Sequence, residues 1–193
     1  MDPDLKRILR KAVPALEAAK VSYAIGGAVA LEAYGFRRSM EDVDIFLSPA
    51  QSAPALEAIA LAGFGIEPVL APDRYAAFER KRGRVADPSI RLNLQIALDD
   101  PEHAAILAPE SHRVGGTVAK VFPLVLLIAA KWYTNRPEDD LDFEALLGRG
   151  LLPIPAVLAY FRSIDDPDSA TQFERRMREL STPRRARPRP ARS

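Results

Sequence analysis

The stretch Tyr23–Pro49, YAIGGAVALEAYGFRRSMEDVDIFLSP, decides how the rest of the chain is read. A short apolar run ends at Gly26-Gly27, and a helix-like segment follows and closes at Gly35. The next strand, DVDIFL, carries Asp42 and Asp44 two residues apart. Alternate residues of a strand share a face, so the two carboxylates stand side by side. Like charges that close repel and raise each other's proton affinity. A water-exposed strand face relieves this, and so does a divalent cation between the pair. Magnesium prefers oxygen and is commonly held by one or two carboxylates together with substrate phosphates. Glycines that end a strand and open a helix let backbone N–H groups approach a phosphate. A tight turn that needs positive φ is the plainer use of the same glycines. Strand, glycine pair, helix and D-x-D strand in succession point to a magnesium–nucleotide site on two neighbouring strands.

The bulk composition agrees with a globular chain. It has 193 residues, 48% hydrophobic and 27% charged, with a formal net charge of +1. This charge gives no global field for nucleic acid or membrane. Cysteine is absent, which excludes disulfides, thiolate metal sites and cysteine nucleophiles. The two histidines, His103 and His112, are too few for a histidine metal cage and have no recognisable partners. The N-terminus lacks the apolar core of a signal peptide. The longest apolar stretch, VFPLVLLIAA, is too short to span a bilayer. These features imply a cytoplasmic protein with no membrane partner.

Periodicity places the elements. Leu5, Ile8, Leu9, Ala12, Val13 and Leu16 recur at helical spacing, with Pro14 as a kink or restart point. Ser48 is an N-cap candidate for an amphipathic helix with Pro49 in its first turn. Weaker strand signals lie in IEPVL and YAAFER, joined onward by the turn KRGR. IRLNLQIAL alternates, with Ile90, Leu92, Leu94 and Ile96 on one face and Arg91, Asn93 and Gln95 on the other. A short helix is expected at DPEHAAILA and a hairpin at HRVGGTVAKVF. After Pro123 the texture becomes helical. The expected organisation is an α/β domain over 1–122, a helical domain over 123–180 and a basic, proline-rich, disordered tail over 181–193.

The window IGGAVALEAYGFRRSMEDVDIFL resembles the signature of the DNA polymerase β-like nucleotidyltransferases. Within that superfamily it resembles the bacterial AbiEii-type branch of type IV toxin–antitoxin systems, which tends to read G-x-x-R-x-T-x-D-h-D here. Arg38 matches the arginine; Met40 stands where threonine is expected, next to Ser39. RLNLQIALDD resembles the family's next strand, and Lys131, Arg136, Asp139 and Asp142 match positions of its helical part. The resemblance implies a mixed sheet flanked by helices, with a small C-terminal helical domain. It implies Mg²⁺-dependent transfer of a nucleoside monophosphate from an NTP to an RNA, protein or small-molecule hydroxyl, and a possible antitoxin partner. Asp42 and Asp44 would hold the metal. Gly26, Gly27, Arg38, Ser39 and Lys131 would face the nucleotide.

One departure stands out. The resemblance puts a third carboxylate, the candidate base, at Asn93, with Gln95 on the same face. An amide is no base, although its oxygen ligates a metal weakly. Asp99 and Asp100 fall beyond the strand, where they suit a helix start. Two accounts stay open: an enzyme that manages without that carboxylate, and a nucleotidyltransferase-fold binding protein that does no chemistry. Among other residues, Lys131 is either a phosphate contact or a lysine at the rim of the core. Asp139 and Asp142 suit a helix N-terminus on electrostatic grounds alone. The basic turn ERKRGR, residues 79–84, is a solvated turn or an RNA guide.

Overall fold

The structure, a computed structural model, describes residues 1–69, 74–81, 84–85 and 91–182. Two compact units divide at Ala130/Lys131, within one helix.

In the first unit, α1 (Pro3–Ala18) opens on Asp2, whose carboxylate accepts from the Asp4 amide. It runs without a break through Pro14 and buries all six residues of the apolar stripe. Then follow β1 (Tyr23–Ile25), α2 (Gly27–Ala33), β2 (Asp42–Leu47), α3 (Ser52–Leu61), β3 (Phe64–Pro68) and β4 (Arg74–Lys81). The unit continues with β5 (Arg84–Val85), β6 (Arg91–Ile96), α4 (Asp100–Leu107), β7 (Glu110–Val114) and β8 (Thr117–Val121). Ser48 precedes a 3₁₀ turn over Pro49–Gln51 without a side-chain cap, and α3 starts only at Ser52. Asp99 caps α4 by accepting from the Glu102 amide. Gly115 and Gly116 turn the β7–β8 hairpin at φ 57° and 89°, values open to glycine at little cost.

The strands form one mixed sheet in the order β3-β4-β6-β2-β1-β8-β7, with β5 paired to β4 off this path. β2 pairs antiparallel with β1 and parallel with β6. The latter register sets Asp44 opposite Asn93 and Asp42 opposite Arg91. The period-two alternation then divides the sheet. Tyr23, Ile25, Val43, Ile45, Leu47, Leu92 and Leu94 are buried on the face covered by α1 and α3. Asp42, Asp44, Asn93 and Gln95 are half-buried on the opposite face. Among the described residues no helix is long and apolar enough to cross a membrane.

The second unit begins inside α5 (Leu124–Thr134) and contains α6 (Pro137–Gly148), α7 (Ile154–Ser163) and α8 (Pro167–Ser181). Its core is aromatic. Phe173 meets Trp132, Phe143 and Phe161 edge-on, with ring centroids 5.4, 6.0 and 5.8 Å apart. Edge-to-face packing aligns the positive edge of one ring with the negative face of another. The expected tail over 181–193 lies outside the described residues except for Ser181 and Thr182, and Arg82 and Gly83 of the basic turn lie outside them too. Phe173→Ala should cost the second unit about 3–5 kcal/mol. Urea denaturation followed by the fluorescence of Trp132, the sole tryptophan, would measure it.

Candidate active site

The site grows from the end of β2. Asp42 and Asp44 project from the half-open face, while Val43 and Ile45 between and beyond them are buried in the core. Burial of those two side chains fixes the strand's register, because a slip of one residue would drive the carboxylates inward.

The glycine pair fits against this strand. The Gly26 amide donates to the Asp44 carbonyl at 2.9 Å, which extends the β1–β2 ladder by one bond. A Cβ on Gly26 would lie 2.5 Å from the Phe46 ring. Gly27 has φ +60°, and a Cβ there would lie 2.3 Å from Asp44 Oδ2. Both glycines therefore make room, and Gly27 does so directly for the carboxylate. At the other end of α2 the Tyr34 hydroxyl lies 2.7 Å from the Phe122 carbonyl and 2.9 Å from Glu110, sharing its proton between two acceptors. This ties the short helix to the β7–β8 side of the sheet.

The strand on the other side supplies donors. Asn93 Nδ2 donates to Asp42 Oδ2 at 3.0 Å and to Asp44 Oδ1 at 2.9 Å. Gln95 Nε2 donates to Asp44 Oδ1 at 2.9 Å. Arg91 brings its guanidinium to 3.5 Å from Asp42 Oδ2. One amide thus bridges both carboxylates, and an arginine offsets part of their charge. Hydrogen bonds to ionised acceptors are about twice as strong as neutral ones, which explains how the like charges are held together. Among the described residues no group of three or more acidic or histidine side chains is placed to hold a metal.

The other expected site residues lie as follows. Arg38 and Ser39 are exposed on the segment leading into β2. Lys131 is buried in the second unit, where its ammonium lies 2.6 Å from Asp139 Oδ1 and 2.8 Å from Asp142 Oδ2. Asp139 Oδ2 also accepts from the Thr134 hydroxyl at 3.0 Å and the Arg136 amide at 3.3 Å, at the start of α6. Glu79 of the basic segment is bonded to Arg7, at 2.6 Å, and to Lys11 of α1. Arg91 and Arg74 were not singled out by the sequence. Alternation put Arg91 on the Asn93 face, but only the pairing of β2 with β6 brings it to Asp42, and only the pairing of β6 with β4 sets Arg74 beside Gln95.

Solved structures of similar architecture are known. An antigenic nucleotidyltransferase-like protein from Paracoccidioides brasiliensis superposes with a TM-score of 0.58 at 14% identity, over 94% of this chain and 92% of that one. The antibiotic-resistance factor ANT(2'')-Ia gives 0.56 at 14%, over 93% and 90%. A putative nucleotidyltransferase from Thermotoga maritima gives 0.53 at 15%, over 77% and 96%. The chain has the nucleotidyltransferase fold. No family model and no curated protein matches its sequence. The fold agrees with the mixed sheet and flanking helices expected from the Gly26–Asp44 window.

Two outcomes follow from the geometry. Gly27→Ala should place a methyl against Asp44 and strain a left-handed residue by about 1–2 kcal/mol, visible as a lowered thermal midpoint. Lys131→Met leaves two buried carboxylates without their cation and should cost about 3–5 kcal/mol, measured by urea denaturation.

Proposed function

We propose that this protein is a magnesium-dependent nucleotidyltransferase that moves a nucleoside monophosphate from an NTP to a hydroxyl acceptor. The observation that carries the reading is the convergence of Asp42 and Asp44 on the open face of β2, with the Gly26-Gly27 turn packed against Asp44. The donor set suits a hard cation. Two carboxylates with substrate phosphates are a usual magnesium environment. An amide side chain presents nitrogen or oxygen by a half-turn about its last bond, so Asn93 and Gln95 can offer carbonyl oxygens to the same place. Asp42 and Asp44 would hold the ion, which supplies charge neutralisation and polarisation of the phosphoryl group.

The chain's own residues then position and neutralise. The glycine turn allows the phosphates close to the end of β1. Arg38 and Ser39, exposed where the chain enters β2, would contact them. The acceptor oxygen bonds to the α-phosphorus as the bond to the β-phosphate breaks. Pyrophosphate leaves with that electron pair, and the hydroxyl proton passes to water. Such transfer depends mainly on positioning and charge stabilisation, so it tolerates an amide at Asn93. Lys131, paired to Asp139 and Asp142, serves by joining α5 to α6 within its own unit.

A structure of ANT(2'')-Ia, whose fold this chain shares at TM-score 0.53 and 15% identity over 91% of this chain and 93% of that one, contains adenylyl-2''-tobramycin. Overlap over nearly both full lengths supports a small-molecule acceptor here, beside RNA or protein. The toxin-like branch and an antitoxin partner rest on the window Gly35–Asp44 alone. A second reading, a nucleotidyltransferase-fold binding protein that does no chemistry, is favoured by one observation: the Asn93 amide already bridges both carboxylates.

Incubation with Mg²⁺, each labelled NTP, total RNA, protein extract and an aminoglycoside separates the two. Transfer of label should fall by about a hundredfold or more in Asp42→Asn, the scale of losing one charge-stabilising group. No label from folded protein, with no binding of Mg–NTP, would leave the second reading.

A further inference from the structure

A depression of about 130 Å³ lies on the β6–β4 side of the carboxylate pair. Its lining includes Arg74, Tyr75, Ala76, Arg91, Asn93 and Gln95. Pairing explains the convergence: Gln95 is registered with Arg74, and Asn93 with Ala76. The small Ala76 opens the middle of the patch. The two arginines stand at its ends, Arg74 beside Gln95 and Arg91 two residues before Asn93.

We propose that this depression is the acceptor subsite, and that the acceptor carries a phosphate group near its reacting hydroxyl. The inference rests on the nucleotidyltransferase reading and adds the acceptor's chemistry to it. The first argument is the order of strands. The glycine turn follows β1, on one side of β2, and the depression spans β6 and β4, on the other. In phosphoryl transfer the attacking and leaving oxygens lie roughly in line through the phosphorus. With pyrophosphate leaving on the glycine side, the acceptor hydroxyl enters from the β6 side.

The second argument is charge. The lining holds two guanidiniums, and the carboxylates of Asp42 and Asp44 lie only at its edge, bonded to Asn93 and Gln95 and approached by Arg91. A guanidinium presents a planar fork of donors that matches phosphate, and it repels an ammonium-rich acceptor. The third is the position of Arg91, half exposed and 3.5 Å from Asp42. Arg91 shares the charge of Asp42, so a cation held there would leave the guanidinium to the acceptor and the two binding events would reinforce each other.

The test is equilibrium binding to the full chain with Mg²⁺ and a non-hydrolysable NTP analogue. Three probes are compared: a short RNA oligonucleotide with a free 3′-hydroxyl, ribose 5-phosphate, and tobramycin as a polycation. A phosphate probe should bind, and its affinity should fall about tenfold or more in Arg74→Gln and in Arg91→Gln. Binding of the RNA alone identifies a polymer as the source of the phosphate, and binding of the sugar phosphate alone identifies a small molecule. Preference for tobramycin, failure of both phosphate probes, or an affinity unchanged in the double variant overturns the proposal. Binding of the NTP analogue alone to the unaltered protein is read separately. Its absence overturns the nucleotidyltransferase reading, whereas arginine-dependent binding of a phosphate probe would still uphold the subsite.

Discussion

Two carboxylates on alternate residues of a strand repel at close range, and the sheet around β2 is arranged so that they do not have to part. Val43 and Ile45 anchor the strand from below. The Asn93 amide donates to both acids, Gln95 donates to one, and Arg91 approaches the other. All of these partners come from β6, so the parallel pairing of β2 with β6 does more for the site than any single bond. Gly27 completes the enclosure by leaving the volume of a side chain to Asp44 Oδ2.

The same logic of compensated charge recurs in the second unit with less water. Lys131 sits between Asp139 and Asp142, all three buried. Neutralising one acid there leaves the other in excess, and the Thr134 hydroxyl and Arg136 amide share the remainder through Asp139. Buried charges of this kind persist only when each has partners. The helical half thus has a polar pin beside its aromatic core.

Much of this was legible before any coordinates. The spacing of Leu5 to Leu16 announced α1, and the alternation through Leu92 and Leu94 announced β6 with its polar face. Asp42 and Asp44 marked a candidate site because charge is rare in a strand flanked by Val43 and Ile45. Ser48 misled, since a serine before proline suits a 3₁₀ turn as readily as an α-helix start. The role of Lys131 was ambiguous, because a lysine ending an apolar helix looks alike whether it meets a phosphate or a pair of buried acids. Arg74 was invisible. It lies many residues from Asp42, and no local pattern states which strands become neighbours.

Asn93 also places the protein in a particular position with respect to change. Codons for asparagine and aspartate differ in one base, and the two side chains are nearly the same size and shape. The backbone register that sets residue 93 opposite Asp44 does not depend on which of them is present. A chain with this sheet stands one base away from a third carboxylate at the centre of its site, with no rearrangement of the fold in between. An aspartate there would give up the two hydrogen bonds that Asn93 donates and add a third negative charge, so such a lineage can move between two acids and three only where a bound cation offsets that repulsion.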